Sequence, residues 1–465
     1  LRSAARPRLA ASEVVNEEDP MSEAHSGDLK RVLGFWDLVF YGIVLIQPIA
    51  AIGLFGIGQQ LSHGHMSTTI LVAMLAMSIT AISYGRMGSR YPSAGSAYTF
   101  VSRGLNAELG FLIGWVTVID YFLIPVISTV YAALTLNRLV PQVPFAAWVA
   151  IITLGITILN LRGIRATSLW NKWLLFAMCI VIVVYFVLAT NHLVANGTLW
   201  SIEPFYNPET FNIASILTAT SFVALTYIGF DSITTLSEEA KNPRRDIMLA
   251  SVVVCLLTGL LGVTQIYLAA RVWPDYNTFP QAETAFYDVA GRVGGTLFFN
   301  VVALTLLVAC IGTAWTAQAA GARVLFGMGR DGVLPRRFFG RINEHTRVPD
   351  RNVLLLGVAT VVGSLLLSYQ FSAQTLNFGA FLAFMGVNLA AIRTFYLRGG
   401  DNRHALRDLV VPALGFLFCA AIWASLPLQA KALGGLWLLA GIVYLVFLKV
   451  QARSLPQTEV LAGKE

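Results

Sequence analysis

Apolar residues fill this chain in long blocks, separated by short polar stretches rich in glycine or arginine. Windows of roughly twenty apolar residues, enough to cross a bilayer as a helix, predict twelve spans. They lie near 34–58, 67–87, 108–137, 144–161, 169–190, 213–237, 247–271, 295–327, 352–370, 374–396, 409–427 and 431–449. Two of these runs are interrupted. The sixth opens with FVALTYIGF from Phe222, then meets Asp231, Ser232, Thr234 and Thr235, with Glu238 and Glu239 close behind. The first carries Gln47 and Pro48 near its middle, and the proline removes a backbone N–H and crowds the preceding turn. In hydrocarbon every backbone polar group must be satisfied internally, so broken or polar helix survives only beside a protein-lined cavity. The breaks lie five runs apart, and an odd offset gives the second set of helices inverted topology. That arrangement forms a midplane site between inverted repeats. Kinks that serve packing alone are the alternative.

Three other runs carry polar residues. Asp120 lies within GWVTVIDYFLIPVISTV of the third, beside Tyr121 and shortly before Pro125. A carboxylate at that depth suits a cationic substrate or a proton; a hydrogen bond to a neighbouring helix is the other reading. The Gly110–Gly114 spacing suits close helix packing. In the eighth run Thr313, Trp315, Thr316 and Gln318 form a polar portion, with Trp315 either walling a pocket or filling space between helices. The tenth carries Asn377 and Asn388. Between the second and third runs, SYGRMGSRYPSAGSAYTFVSRGL (83–105) reads as a tight turn in which Pro92 and Gly95 prevent a regular helix. The last two runs read as apolar helices outside the working repeats.

Composition sharpens this picture. The chain is 56% hydrophobic and 12% charged, with mean hydropathy +0.68, against about 25% charged in a soluble domain. The net charge of +7 therefore reflects arginines held on one side of a bilayer and gives no reason to expect nucleic acid. With the N-terminus inside, only Arg138, Arg271, Arg292 and Lys431 of the 32 basic residues fall outside. Both termini are then expected on the cytoplasmic side. Cys179, Cys255, Cys310 and Cys419 lie singly in apolar runs and read as small buried hydrophobes. All six histidines fall in predicted loops or tails. No HExxH, Walker A or CxxC pattern occurs, and no nucleophile–base or metal constellation. Residues 1–20 do not read as a signal peptide. Met21 reads as a start, and residues 1–29 and 451–465 read as a disordered cytoplasmic N-terminus and a cytoplasmic tail.

At this point the chain resembles the amino acid–polyamine–organocation superfamily of permeases. The resemblance rests on YPSAGSAYTFVSRGL (91–105), TYIGFDSITTLSEEAKNPRRDI (226–247), GMGRDGVLPRRF (327–338) and LNFGAFLAFMGVNLAAI (376–392), in family order. It implies an all-α polytopic membrane protein. Two inverted five-helix repeats, about 30–190 and 213–396, would form a core over 30–396, with two further helices at 409–450. It also implies alternating access, with substrate between helices 1 and 6 and walls from helices 3, 8 and 10. DYFLIP, GFDSITTLSEE and the proline at the first break are most similar to bacterial putrescine importers. Amino-acid members usually carry small glycine-rich residues where this chain has Gln47-Pro48-Ile49. Such glycines let free N–H groups meet a substrate carboxylate; Pro48 deletes one donor, whereas the Gln47 amide could accept from an ammonium. Some proton-coupled relatives place a lysine inside helix 5. Here Lys172 lies at that helix's end, and Met178 falls near the lysine's expected place.

The resulting expectation is a secondary importer of a small organic amine or polyamine, putrescine-like and proton-driven, in a bacterial inner membrane. An amino acid permease or exchanger with altered carboxylate recognition is the alternative; a membrane ligand sensor that does not translocate is another of a different class. Substrate contacts are expected at Ile46, Gln47, Pro48, Ile49, Ala50, Asp120, Tyr121, Leu225, Thr226, Tyr227, Gly229, Asp231 and Trp315. Coupling is expected at Asp120 and Asp231, while a sodium site at Thr313 and Thr316 stays open. No enzymatic activity, cofactor or metal is implied, and a homodimer is compatible with the resemblance.

Overall fold

The computed structural model describes residues 31–450 apart from 93–94, 164–167, 331, 333 and 401–402. The expectations for 1–29 and 451–465 therefore lie outside the described residues. Within them the chain is helical, because a segment without water must close its own hydrogen-bond ladder. The first apolar run gives α1 (Phe35–Ile46) and α2 (Phe55–Leu61), split around Gln47 and Pro48. There follow α3 (Met66–Arg90), α4 (Ser96–Gly104), α5 (Ala107–Leu139), α6 (Phe145–Leu161), α7 (Ser168–Ala195) and α8 (Ile213–Val223). Next come α9 (Pro243–Val272), α10 (Ala285–Arg330), α11 (Arg336–Phe339) and α12 (Asp350–Leu366), then α13 (Tyr369–Ala391), α14 (Val411–Ala424) and α15 (Leu428–Val450). Among the described residues nine helical stretches are long and apolar enough to cross a membrane, and α1 and α6 are apolar but shorter. This is a multi-pass membrane protein.

Polar caps set several helix starts. Asn106 Oδ1 accepts from the Leu109 N–H at 2.8 Å, Asn212 Oδ1 from Ala214 at 2.7 Å, and Ser368 Oγ from Phe371 at 3.2 Å. The long α10 turns at Gly295, where φ is 67 and ψ −171, a conformation open to glycine. The sequence placed the start of the eighth run at that residue.

α5 is the central helix, packed against α4, α6, α10, α12, α13 and α15. α3 lies along α9, and at Gly85 a side chain would strike the backbone of Met248. The last two helices are not peripheral to this packing. α14 lies against α3 and α13, and α15 against α5 and α13. Trp115 and Trp437 clasp α5 to α15. Each indole N–H donates to the other's carbonyl, at 2.9 and 3.0 Å, and the rings stack with centroids 5.1 Å apart. The approach to α1 is tied to the end of the second broken run: Leu33 pairs with Ala240, and the Lys241 N–H reaches the Leu33 carbonyl at 2.9 Å.

Three expectations need correction. The stretch 83–105 is not a mere turn, since α3 runs to Arg90 and Ser96–Gly104 is helical. Pro92 and Gly95 interrupt only the few residues between, and the Gly110–Gly114 spacing packs on that short helix through Ser102 and Tyr98. Of the cysteines, Cys255 and Cys419 are buried, but Cys310 is half-buried and Cys179 lies exposed on α7, whose outer face is apolar and suits lipid. Finally, His192 lies in the last turn of α7 rather than in a loop.

Candidate functional site

The first break is built from very few residues. α1 stops at Ile46, and Gln47 adopts φ 64 and ψ 114, unusual for a residue with a side chain. Pro48 has no N–H to return to the helix, and the chain re-forms when the Ala50 N–H bonds the Gln47 carbonyl at 3.0 Å. The Pro48 carbonyl accepts from Gln265 Nε2 of α9 at 2.9 Å. Gln265 is fully buried, and its own carbonyl accepts from the Tyr185 hydroxyl at 3.1 Å. The Gln47 side chain turns to α10, where Nε2 donates to Thr313 Oγ1 at 2.8 Å. Its Oε1 is left as an acceptor. Thr313 in turn donates to the Ala309 carbonyl at 2.9 Å.

The second break loosens more gradually. α8 passes into a tight turn at Ala224–Tyr227, Ile228 is extended, and Gly229 takes φ 120, where a side chain would be strained. A narrower helix, Phe230–Leu236, then begins. Asp231 lies in its first turn, with its carboxylate at the helix start. The N–H groups at a helix start carry partial positive charge, which favours a carboxylate there. On the other side of the break, the Ser221 and Phe222 carbonyls accept from Asn377 Nδ2 of α13 at 2.7 and 3.3 Å.

Between the breaks lies a cavity of ≈ 540 Å³. α10 lines it with a stripe that includes Thr313, Thr316 and Ala320; α5 contributes Asp120 and Tyr121, and the second break contributes Asp231. No Lys, Arg or His lines it among the described residues. Asp120 Oδ1 is buried and has no hydrogen-bond partner among them. Pro125 also deprives the Tyr121 carbonyl of its helical donor. A smaller, more apolar cavity of ≈ 190 Å³ adjoins the first across Gln47 and Thr313. Near it Tyr131, Tyr287, Tyr369 and Phe222 form an aromatic layer. Thr135 bonds Tyr287 at 2.7 Å, and Arg138 pairs with Asp288 at 2.6 Å.

The expected site residues thus divide. Gln47, Asp120, Tyr121, Gly229, Asp231, Thr313 and Thr316 meet around the main cavity. Ile46, Ala50, Leu225 and Thr226 line the adjoining one, which Gln47 and Thr313 share. Pro48 and Ile49 line neither; Ile49 is fully buried, and Pro48 acts through its carbonyl. The Tyr227 hydroxyl is turned to the Ile70 carbonyl at 3.0 Å. Trp315 faces a third cavity on the other side of α10. Sequence reasoning missed Ser96 and Tyr98, which enter the main cavity wall from α4, and Gln265. An amide in the otherwise apolar seventh run was the available signal for Gln265.

The family model described as "Amino acid permease" matches residues 41–438. The chain is 30% identical over 446 residues to the low-affinity putrescine importer PlaP of Escherichia coli (strain K12), covering 94% of this chain and 97% of that protein. It is 26% identical over 436 residues to the branched-chain amino acid permease BcaP of Lactococcus lactis, covering 89% and 93%. Among solved structures, a mutant form of the Eremococcus coleocola manganese transporter superposes with a TM-score of 0.52 at 13% identity, over 90% of this chain and 96% of that one. That likeness concerns the fold alone.

Proposed function

The chain belongs to the amino acid permease family, and from that premise we propose that this permease imports a small organic amine or polyamine by alternating access. The carrying observation is Asp120: a carboxylate oxygen buried without a partner, in a cavity lined by two acids and, among the described residues, no basic side chain. A buried charge without a counterion is costly, and a substrate ammonium supplies one. Gln47 Oε1, left over once Nε2 is committed to Thr313, is a second acceptor at the same cavity. The similarity to a putrescine importer supports a putrescine-like diamine.

A carboxylate-bearing substrate finds little at the breaks. Pro48 has no N–H, and at the second break the carboxylate of Asp231 already occupies the helix start. This weighs against the amino-acid reading, although the family and the likeness to a branched-chain amino acid permease keep it as the second reading. We assign proton coupling to the two acids of the cavity, one holding the proton while the other pairs with the ammonium. Thr313 both accepts from Gln47 and donates to Ala309, and Thr316 donates to the Gly312 carbonyl at 2.9 Å. The Thr313 oxygen already accepts from Gln47, which leaves it fewer lone pairs for a sodium ion. In the architecture we propose, twelve helices include two inverted sets of five, the N-terminus is cytoplasmic, and the main cavity opens inward past α4. The Arg138–Asp288 pair and the tyrosine layer close the outer side.

Uptake of labelled putrescine into proteoliposomes under an imposed inward proton gradient tests this. Accumulation that competing amines suppress, and that stops when the gradient collapses, is the expected result. Exchange of a zwitterionic amino acid with putrescine ignored favours the second reading, and saturable binding without accumulation means a sensor.

A further inference from the structure

A third cavity, of ≈ 260 Å³, lies between α6, α10 and the loop leading into α12, on the side of α10 away from the Asp120 cavity. Thr316 is shared by the two, but their chemistry differs. This one is lined by Arg323 and Arg347, with Thr346, Trp315 and Asn160, and among the described residues no acid lines it. Both arginines and Thr346 are exposed, and neither guanidinium nor the Thr346 hydroxyl has a hydrogen-bond or ion-pair partner among the described residues.

The loop fixes the backbone that carries its arginine. Asn343 Oδ1 accepts from the His345 and Thr346 N–H groups at 3.0 and 3.2 Å, and the Asn343 N–H donates to the Val348 carbonyl at 2.9 Å. Within this ring Arg347 is locked at φ 55, a strained backbone shape for a residue with a side chain, and such strain persists where the surroundings over-determine it. The flanking helices are open to the bilayer: Leu154 and Ile158 on α6 and Leu354 and Val358 on α12 are exposed.

We propose that this cavity binds a phosphate-bearing anion. Two guanidiniums match phosphate oxygens in geometry and charge, and basic pockets between membrane helices suit lipid headgroups. The exposed faces of α6 and α12 give the acyl chains of a phospholipid a place to lie. A free phosphate would meet the same donors. The site stands independently of which substrate the Asp120 cavity takes.

The test compares the full chain with R323Q/R347Q and with R341Q, a control at an arginine outside the cavity. Native mass spectrometry in detergent measures retention of phosphatidylglycerol against phosphatidylcholine, and thermal unfolding is followed with inorganic phosphate. The parent and R341Q retain phosphatidylglycerol selectively, and each lost arginine weakens retention roughly fivefold, about 25-fold for both. If inorganic phosphate alone stabilises the parent and displaces the lipid, and R323Q/R347Q loses both effects, the anion site stands and its source is soluble. If the double variant does not fold, R323Q and R347Q singly carry the test at roughly fivefold each. Retention and phosphate response equal to those of R341Q would overturn the proposal.

Discussion

Asp120 and Asp231 line the same cavity, but their surroundings differ in kind. Asp231 sits in the first turn of a helix, where the N–H groups of its own segment favour a negative charge. Asp120 lies in the middle of α5, where the backbone is committed to the helical ladder, and one of its oxygens is buried with no partner among the described residues. In the function proposed above the two acids take different roles: Asp231 shapes the site and contributes its field, and Asp120 takes the ammonium.

This contrast can be broken most severely at Asp120. Asp120→Asn should lower amine uptake by about two orders of magnitude, the scale of losing one member of a buried charge pair. Its thermal stability should hold or rise, since the change removes an uncompensated charge; a large fall in melting temperature would assign Asp120 a structural role. Next in size is Gln47→Ala, expected to raise KM about tenfold, as loss of a hydrogen bond to a charged group does. Unchanged affinity would remove Gln47 from the substrate contacts. Gln265→Leu takes the donor from the Pro48 carbonyl and should destabilise the protein by about 1–3 kcal/mol, measured by thermal unfolding; no change would mean that the first break holds its shape without it. The smallest effect is expected for Asp231→Asn, which keeps an acceptor for the backbone but loses the charge at a helix start. It should cost about 1 kcal/mol of stability and leave amine affinity within roughly fivefold. A hundredfold loss of affinity there would reverse the assignment.

Much of the fold was legible because the bilayer allows so few solutions. A twenty-residue apolar run has to be a helix, and the breaks were marked by Pro48 and by Gly229 followed by Asp231. The site was legible only in part. On α10, Thr313, Thr316, Ala317 and Ala320 recur at helical spacing and share one cavity, whereas Trp315, Ala319 and Arg323 line the next. One residue along a helix is a rotation of about 100°, and without the neighbouring helices no sequence pattern says which stripe faces which cavity. Gln265 meets Pro48 across 217 positions of chain, and Ser96 reaches the cavity because of how α4 folds back on α5. Such contacts are set by tertiary packing. The distinction between the two aspartates belongs to the same class, since it depends on where helices start and not on residue type.

The most direct measurement is calorimetric titration of putrescine into the purified full chain and into its Asp120→Asn and Asp231→Asn variants at low ionic strength. The account predicts that binding is lost, or weakened about a hundredfold, in Asp120→Asn and stays within roughly fivefold of the parent in Asp231→Asn. Parent-like binding in Asp120→Asn together with loss in Asp231→Asn would contradict it.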